Sequence, residues 1–191
     1  MRSRARQNSR KTELINAAIH TIARSGTLDV TVADIAREAG MSTALAHHYF
    51  GSKDQIFLST MREILRRYGV AVRDALARQD DLQGRLLAVL DASLGPEHFD
   101  ADTIAAWLNF YVLAQQDDDA ARLLCVYHRR LRTNLLSGLR PLIGVRAEHV
   151  AATLCALIDG VYLRQALERD PAPDLLSLPR EYLLLSLGTP C

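Results

Sequence analysis

Cysteine is scarce and scattered in this chain of 191 residues: Cys125, Cys155 and Cys191 are odd in number, far apart, and without CxxC or metal-ligand spacing. That excludes a disulfide framework and fits a reducing, cytoplasmic compartment. Long apolar runs are missing too. Stretches such as Ala151 to Ile158 stop far short of the roughly 20 residues a bilayer span needs, so no membrane is expected. The basic N-terminus, MRSRARQNSRK, has no apolar stretch behind it and does not read as a signal peptide. Catalytic signatures are absent as well: no GxSxG, HExxH, phosphate-binding loop or dinucleotide-binding glycine series occurs. His47 and His48 are adjacent, which cannot set both rings on one helix face as a metal site there would require. His128, beside Tyr127 and Arg129, has no nucleophile motif with it. The expectation is a protein without catalytic residues, metal or cofactor, and not an enzyme.

What is present is the balance of a globular chain with a real core: 49% hydrophobic residues and a mean hydropathy of -0.01. The net charge of +1 is unevenly spread. Residues 1–53 hold Arg2, Arg4, Arg6, Arg10, Lys11, Arg24, Arg37 and Lys53 against Glu13, Asp29, Asp34 and Glu38, a net +4 that leaves -3 for the rest. Such a split points to a basic head that meets a polyanion and a body with another task.

Helical periodicity runs nearly throughout, and the fold class expected is all-α with about nine helices. Leu14, Ala17, Ala18, Thr21 and Ile22 share a face, after Asn8 and Ser9 as a helix start and before Gly26 as a stop. Thr31 to Asp34 reads as a capping box opening a short helix to about Ala39. Gly40 breaks it, and Ser42 caps a second short helix to about Tyr49. Ser52 to Gln55 is another capping box, opening a long amphipathic helix through about residue 79 with Leu58, Met61, Leu65, Tyr68 and Val72 inward. Further helices are expected at 82–94, ended by Gly95-Pro96, and at 101–114. Another should run from Asp117–Asp119 to Leu139 before Pro141, and one from Val145 to Glu168, closed by Asp170-Pro171. After Pro171, Pro173 and Pro179 as breakers, a last helix spans Tyr182 to Leu187 and ends at Gly188.

The stretch from Thr31 to Lys53 carries the chemistry. Two short helices joined by a tight turn with glycine form a helix-turn-helix, with Val32, Ile35, Ala39, Met41, Leu45 and Phe50 as the seam and Ala36 where a larger side chain would wedge the pair apart. The second helix presents Ser42, Thr43, His47 and His48, groups able to reach base edges and phosphates in a major groove; Tyr49 and Lys53 flank it as phosphate contacts. An ordinary helical hairpin has the same seam but not the basic arm beside it.

Ile35-Ala36, Gly40-Met41-Ser42, Tyr49-Phe50 and Lys53, at this spacing, resemble the DNA-binding head of TetR-type transcriptional regulators. The resemblance implies that Thr31 touches phosphate, that Ser42, Thr43, Ala44, His47 and His48 lie on the recognition helix, and that Lys53 clamps the backbone. Two positions depart from the pattern: Ala46 is smaller than the usual aliphatic residue, leaving Leu45 or a neighbour to fill the core, and His47 stands where Tyr is frequent. Residues 59–62 (STMR), 106–111 (AWLNFY), 130–135 (RLRTNL) and 156–164 (ALIDGVYLR) are similar to the BetI branch of that family, which represses choline-to-glycine-betaine genes. The expected division is a basic arm and helix-turn-helix domain at 1–53, and an effector-binding and dimerisation domain at 54–191.

That branch implies choline, betaine aldehyde or a related quaternary ammonium as effector, a cation that donates no hydrogen bond and is held by aromatic faces. Trp107, Phe110 and Tyr111 share a helix face, Tyr127 and Tyr162 could close a cage, and Asp159 could supply counter-charge. Each also has a plainer role: the aromatics as core, Asp159 as partner of Arg132 or Arg164. One recognition helix covers few base pairs, so a homodimer on a palindromic double-stranded DNA operator is expected, joined in the family manner through the last two long helices, about 146–168 and 179–187. Two other readings remain at this point: a TetR-type regulator of a different apolar or cationic ligand, such as a drug or fatty-acyl compound, and a helical interaction module that binds no DNA.

Overall fold

The computed structural model describes residues 2–25, 30–95, 101–167 and 174–188, with residues 2–8 by backbone alone. Gly26, Asp29, Pro96, Glu168, Asp170, Pro171, Pro173 and Cys191, and the side chains of Arg2, Arg4 and Arg6, lie outside the described residues. The described residues form α-helices and no strand: α1 (Arg2–Ser25), α2 (Val32–Glu38), α3 (Thr43–Phe50), α4 (Lys53–Leu76), α5 (Leu82–Leu94), α6 (Ala101–Leu113), α7 (Asp118–Ile143), a 3-10 turn (Gly144–Arg146), α8 (Ala147–Leu167) and α9 (Leu178–Leu187). The all-α expectation holds.

The chain divides into two compact units, residues 1–66 with 101–121, and residues 67–100 with 122–191. The helix-turn-helix lies within the first, which also takes in α6, packed along α1. Its core joins Leu14, Ala18 and Ile22 of α1 to Val32, Ile35 and Ala36 of α2, Ala46 of α3, and Ile56 and Phe57 of α4. In the second unit Leu86 and Leu90 of α5, Leu131, Leu135 and Leu139 of α7, Leu154 and Ile158 of α8, and Leu183 of α9 are sealed from solvent. Glu148 of α8 takes Arg132 and Arg140 of α7 on its two carboxylate oxygens, pinning the helix pair across the Gly144 turn.

Several boundaries differ from expectation for local reasons. Asn8 and Ser9 do not cap α1: the helix already runs from Arg2, because residues 2–7 contain no breaker, and Ser9 instead donates to Glu13 Oε1 at 2.9 Å within it. Pro141 sits inside α7 rather than after it. It falls in the last, exposed turn, where losing one ladder donor leaves a carbonyl to water instead of to the core. Pro179 does not break the chain but stands in the first turn of α9, where a missing N–H costs nothing. Ala46, and not Leu45, is the buried residue of α3: it is sealed in the core shared with α1, α2 and α4, while Leu45 is half-buried and Phe50 packs against that core from the helix end.

The expectation that no stretch approaches a membrane span also needs correction. The helical stretch 118–167 contains an 18-residue window apolar and long enough to cross a bilayer by composition, of which 28% is buried within the chain. Purely apolar runs are short there because single charges such as Asp159 interrupt them, while the average stays high. Leu163 and Leu167 of α8 and Leu178 and Leu185 of α9 stand in solvent.

Two helical glycines make opposite forecasts. A Cβ on Gly138 of α7 would fall 2.8 Å from Leu86 Cγ and 3.4 Å from the Leu82 carbonyl, against a buried and branched neighbour. A Cβ on Gly69 of α4 meets nothing within 4 Å. Gly69→Ala should raise stability by about 0.5–1 kcal/mol through helix propensity. Gly138→Ala should lower it, because overpacking of about 1–3 kcal/mol outweighs that gain. Urea titration of the two variants checks both signs.

Candidate functional site

Local chemistry builds the head. Thr31 is the N-cap of α2: its hydroxyl oxygen accepts from the Asp34 amide at 3.1 Å, its own amide donates to Asp34 Oδ2 at 3.1 Å, and its hydroxyl donates to the same oxygen at 2.6 Å. Both donors of Thr31 are thus turned onto Asp34. Those bonds, hydroxyl first and amide second, with Arg37 behind them, hold the Asp34 carboxyl below the usual carboxylate range. The turn Ala39–Ser42 is closed by the Met41 amide donating to the Ala36 carbonyl at 2.8 Å, with Gly40 at φ +63, a left-handed conformation that glycine adopts without strain. Ser42 caps α3, its hydroxyl accepting from the Leu45 amide at 3.2 Å, and a serine that accepts once still has its hydrogen to give. Arg24 of α1 reaches Glu38 of α2 at 3.0 Å.

On α3, Thr43, Ala44, His47 and His48 are all exposed, Thr43 with His47 and Ala44 with His48 lying one turn apart on neighbouring stripes. Tyr49 is half-buried, its ring 5.7 Å from that of His48 in an edge contact. Lys53 opens α4 with its ammonium 5.6 Å from the Phe57 ring centre, and the Gln55 amide donates to Ser52 at 3.2 Å as the second capping box requires. Lys11 of α1, not singled out from sequence, sits 6.0 Å from the Phe50 ring, which brings a cation to the end of α3. Its signal in sequence was only its place in the basic arm.

The candidate effector residues fall into two sets. In the first unit Trp107 and Phe110 are buried and Tyr111 half-buried; the Trp107 ring lies 6.0 Å from Phe110 and 5.8 Å from Tyr111, so the α6 stripe is one aromatic cluster. In the second unit Tyr127 and Tyr162 are buried with Tyr68, which sequence reasoning placed only as an inward residue of α4. Tyr68 packs edge-on to Tyr127 at 5.6 Å. Ser93 gathers the hydroxyls: its own donates to the Val89 carbonyl at 2.7 Å, so the Tyr68 hydroxyl donates to Ser93 Oγ at 3.0 Å, while Tyr162 donates to the Ser93 carbonyl at 2.6 Å. Burial pushes the Tyr68 hydroxyl up to about 12. Asp159 is half-buried, 3.6 Å from His128 Nε2; of the two arginines expected as its partner, Arg132 and Arg164, Arg132 is on Glu148. Burial first, and then Asp159, raise the neighbouring Cys155 thiol to about 11. Among the described residues, no group of three His, Cys, Asp or Glu side chains could hold a metal ion.

A capped helix-turn-helix with a polar outward face, on an otherwise helical chain, defines a DNA-binding regulator. The family comparisons agree. Residues 14–60 match the bacterial regulatory proteins of the tetR family, and residues 82–183 match the C-terminal domain of BetI-type transcriptional repressors. The chain is 48% identical over 183 residues to the HTH-type transcriptional regulator BetI of Brucella canis, covering 94% of this chain and 92% of that one. It is 45% identical over 163 residues to BetI of Agrobacterium fabrum, covering 85% and 79%. Among solved structures, a TetR transcription regulator from Haloarcula marismortui superposes with a TM-score of 0.84 at 24% identity, over 95% of this chain and 97% of that one. A transcriptional regulator from Saccharomonospora viridis in complex with choline gives 0.80 at 23%, over 95% and 96%. The chain belongs to the TetR family of transcriptional regulators and, within it, to the BetI-type repressors. Its relatives are named as regulators and not as enzymes, as expected.

The Asp34 bonds give a pH signature. A carboxyl whose folded pKa lies below its unfolded one stabilises fully above the ordinary Asp range and loses that contribution as pH falls through the lowered value. Thr31→Ala should lower the melting midpoint by roughly 2–4 °C near neutrality. It should also flatten the loss of stability on acidification, read from melts between about pH 7 and about pH 3.

Proposed function

We propose that the chain is a homodimeric repressor of choline and glycine-betaine metabolism genes, bound to a palindromic double-stranded DNA operator in the cytoplasm and released by choline or a related quaternary ammonium such as betaine aldehyde. The observation that carries the reading is the identity to BetI regulators over nearly the whole chain, joined to a helix-turn-helix whose caps and turn are intact. In the head, Thr43, Ala44, His47 and His48 face the major groove, Ser42 offers its hydroxyl hydrogen to phosphate, and Tyr49, Lys53 and Lys11 flank the backbone. Thr31, its donors engaged by Asp34, serves chiefly to hold α2 in place. Residues 1–53 supply the basic arm and the DNA-facing helices, completed as a core by Ile56 and Phe57, and 54–191 carry effector binding and dimerisation.

For the effector, Tyr127 and Tyr162, joined by Tyr68, supply aromatic faces within one unit, with Asp159 as counter-charge nearby. Trp107, Phe110 and Tyr111 offer a second aromatic face for the same chemistry. The choline-bound Saccharomonospora regulator has this fold. A released operator requires that the effector bind the two arrangements of the paired heads unequally. Dimerisation through α8 and α9 is supported by the leucines they leave in solvent, Leu167 at 69% and Leu185 at 64% exposure.

Titration onto the chain's own upstream DNA at fixed salt should show sequence-specific binding; equal affinity for scrambled DNA would defeat the repressor reading. Calorimetry should detect choline but not its uncharged isostere 3,3-dimethylbutanol. Tyr127→Ala should weaken choline about 30-fold if the second-unit tyrosines form the cage, and Trp107→Ala should do so if the α6 cluster does. Leu185→Glu should shift sedimentation toward monomer and weaken the operator with it; an unshifted dimer would place the interface elsewhere.

A further inference from the structure

The recognition helix closes on a reciprocal pair. The Gly51 amide donates to the His47 carbonyl at 2.7 Å, and the Gly51 carbonyl lies 2.6 Å from His47 Nδ1. A carbonyl oxygen only accepts, so Nδ1 is the nitrogen that carries the proton. Gly51 takes part at φ +78, a backbone conformation other residues rarely adopt. The ring is therefore fixed along one edge before any DNA arrives. In a neutral imidazole held this way, Nε2 is left as a lone pair with no hydrogen: an acceptor only.

His47 is exposed and follows Thr43 by one turn, so its ring extends the outward stripe of α3. We propose that His47 is a specificity-determining residue whose Nε2 accepts a hydrogen bond from an exocyclic amino group in the major groove, adenine N6 or cytosine N4. This rests on α3 being the DNA-reading helix. Each base pair carries one such amino group in the major groove, on one strand only: adenine in A·T and cytosine in G·C. Thymine O4 and guanine O6 and N7 are acceptors and would oppose the Nε2 lone pair. At one position of each half-site the ring therefore separates amino-bearing from keto-bearing bases on the strand it faces, and tolerates adenine and cytosine alike. A tyrosine at this position, frequent in the family, carries a hydroxyl that can both donate and accept; with the proton held on Nδ1 by Gly51, Nε2 of His47 only accepts, so the donor is lost at that point.

Two measurements test this. Ring-nitrogen NMR of the free protein should find the His47 proton on Nδ1; a proton on Nε2 overturns the anchoring without reference to DNA. A base-analogue scan of the operator should find one position per half-site where guanine or thymine weakens binding roughly tenfold. Removing only the amino group there, with 2′-deoxynebularine for adenine or 2-pyrimidinone for cytosine, should cost about as much. His47→Ala should erase the discrimination at that position while the pattern at other positions persists. No such position, or one that His47→Ala leaves intact, overturns the assignment. So does base-independent binding that strengthens on acidification, which would set a protonated Nε2 against a phosphate. Loss of sequence preference at every position would instead unseat α3 as the reading helix.

Discussion

The near contact of α2 and α3 is the constraint on which the rest of the head depends. Ala36 and Ala46 are sealed at it, and the Met41 amide turns back to the Ala36 carbonyl across Gly40. Small side chains at these two positions let the helices of the head share one core. A larger residue at either alanine would move every group from Ser42 to His48 together. Phosphate and base contacts need close placement, so a change at either alanine would be felt on the outward face of α3.

The second unit solves a different problem with different chemistry. Three tyrosines are buried there, and each buried hydroxyl would be costly if left without a partner. Ser93 meets the need for two of them, through its side chain for Tyr68 and its carbonyl for Tyr162. The rings are thereby oriented by hydrogen bonds as well as by packing, so an aromatic face can be presented in a fixed direction. A cation attracted by ring quadrupoles needs that direction more than it needs added apolar area.

Much of the head was legible because its determinants are local. A capping box spans four residues, a positive-φ glycine needs only itself, and the Thr31, Ser42 and Ser52 caps all stand where the sequence predicts them. Asn8 and Ser9 misled because a capping residue type marks a helix start only where something upstream stops the helix, and residues 2–7 hold no stop. The place of Tyr68 in the tyrosine cluster is not legible for the opposite reason: on its own helix it is one apolar residue among several, and only Tyr127 and Ser93, from other helices, give it meaning. The six effector candidates likewise look like one set along the chain yet belong to two compact units, a partition that no local pattern encodes. The burial of Ala46 is not legible from residue size, because it depends on what α1, α2 and α4 bring to the same core.

Burial, and after it the neighbouring Asp159, raise the Cys155 thiol to about 11, and the consequence reaches past packing. A thiol raised this way leaves little thiolate at neutral pH, the form that attacks peroxides, disulfides and electrophiles. The sulfur therefore behaves as a small inert hydrophobe. An oxidant that reaches this position meets a thiol and not a thiolate, and so a weaker nucleophile.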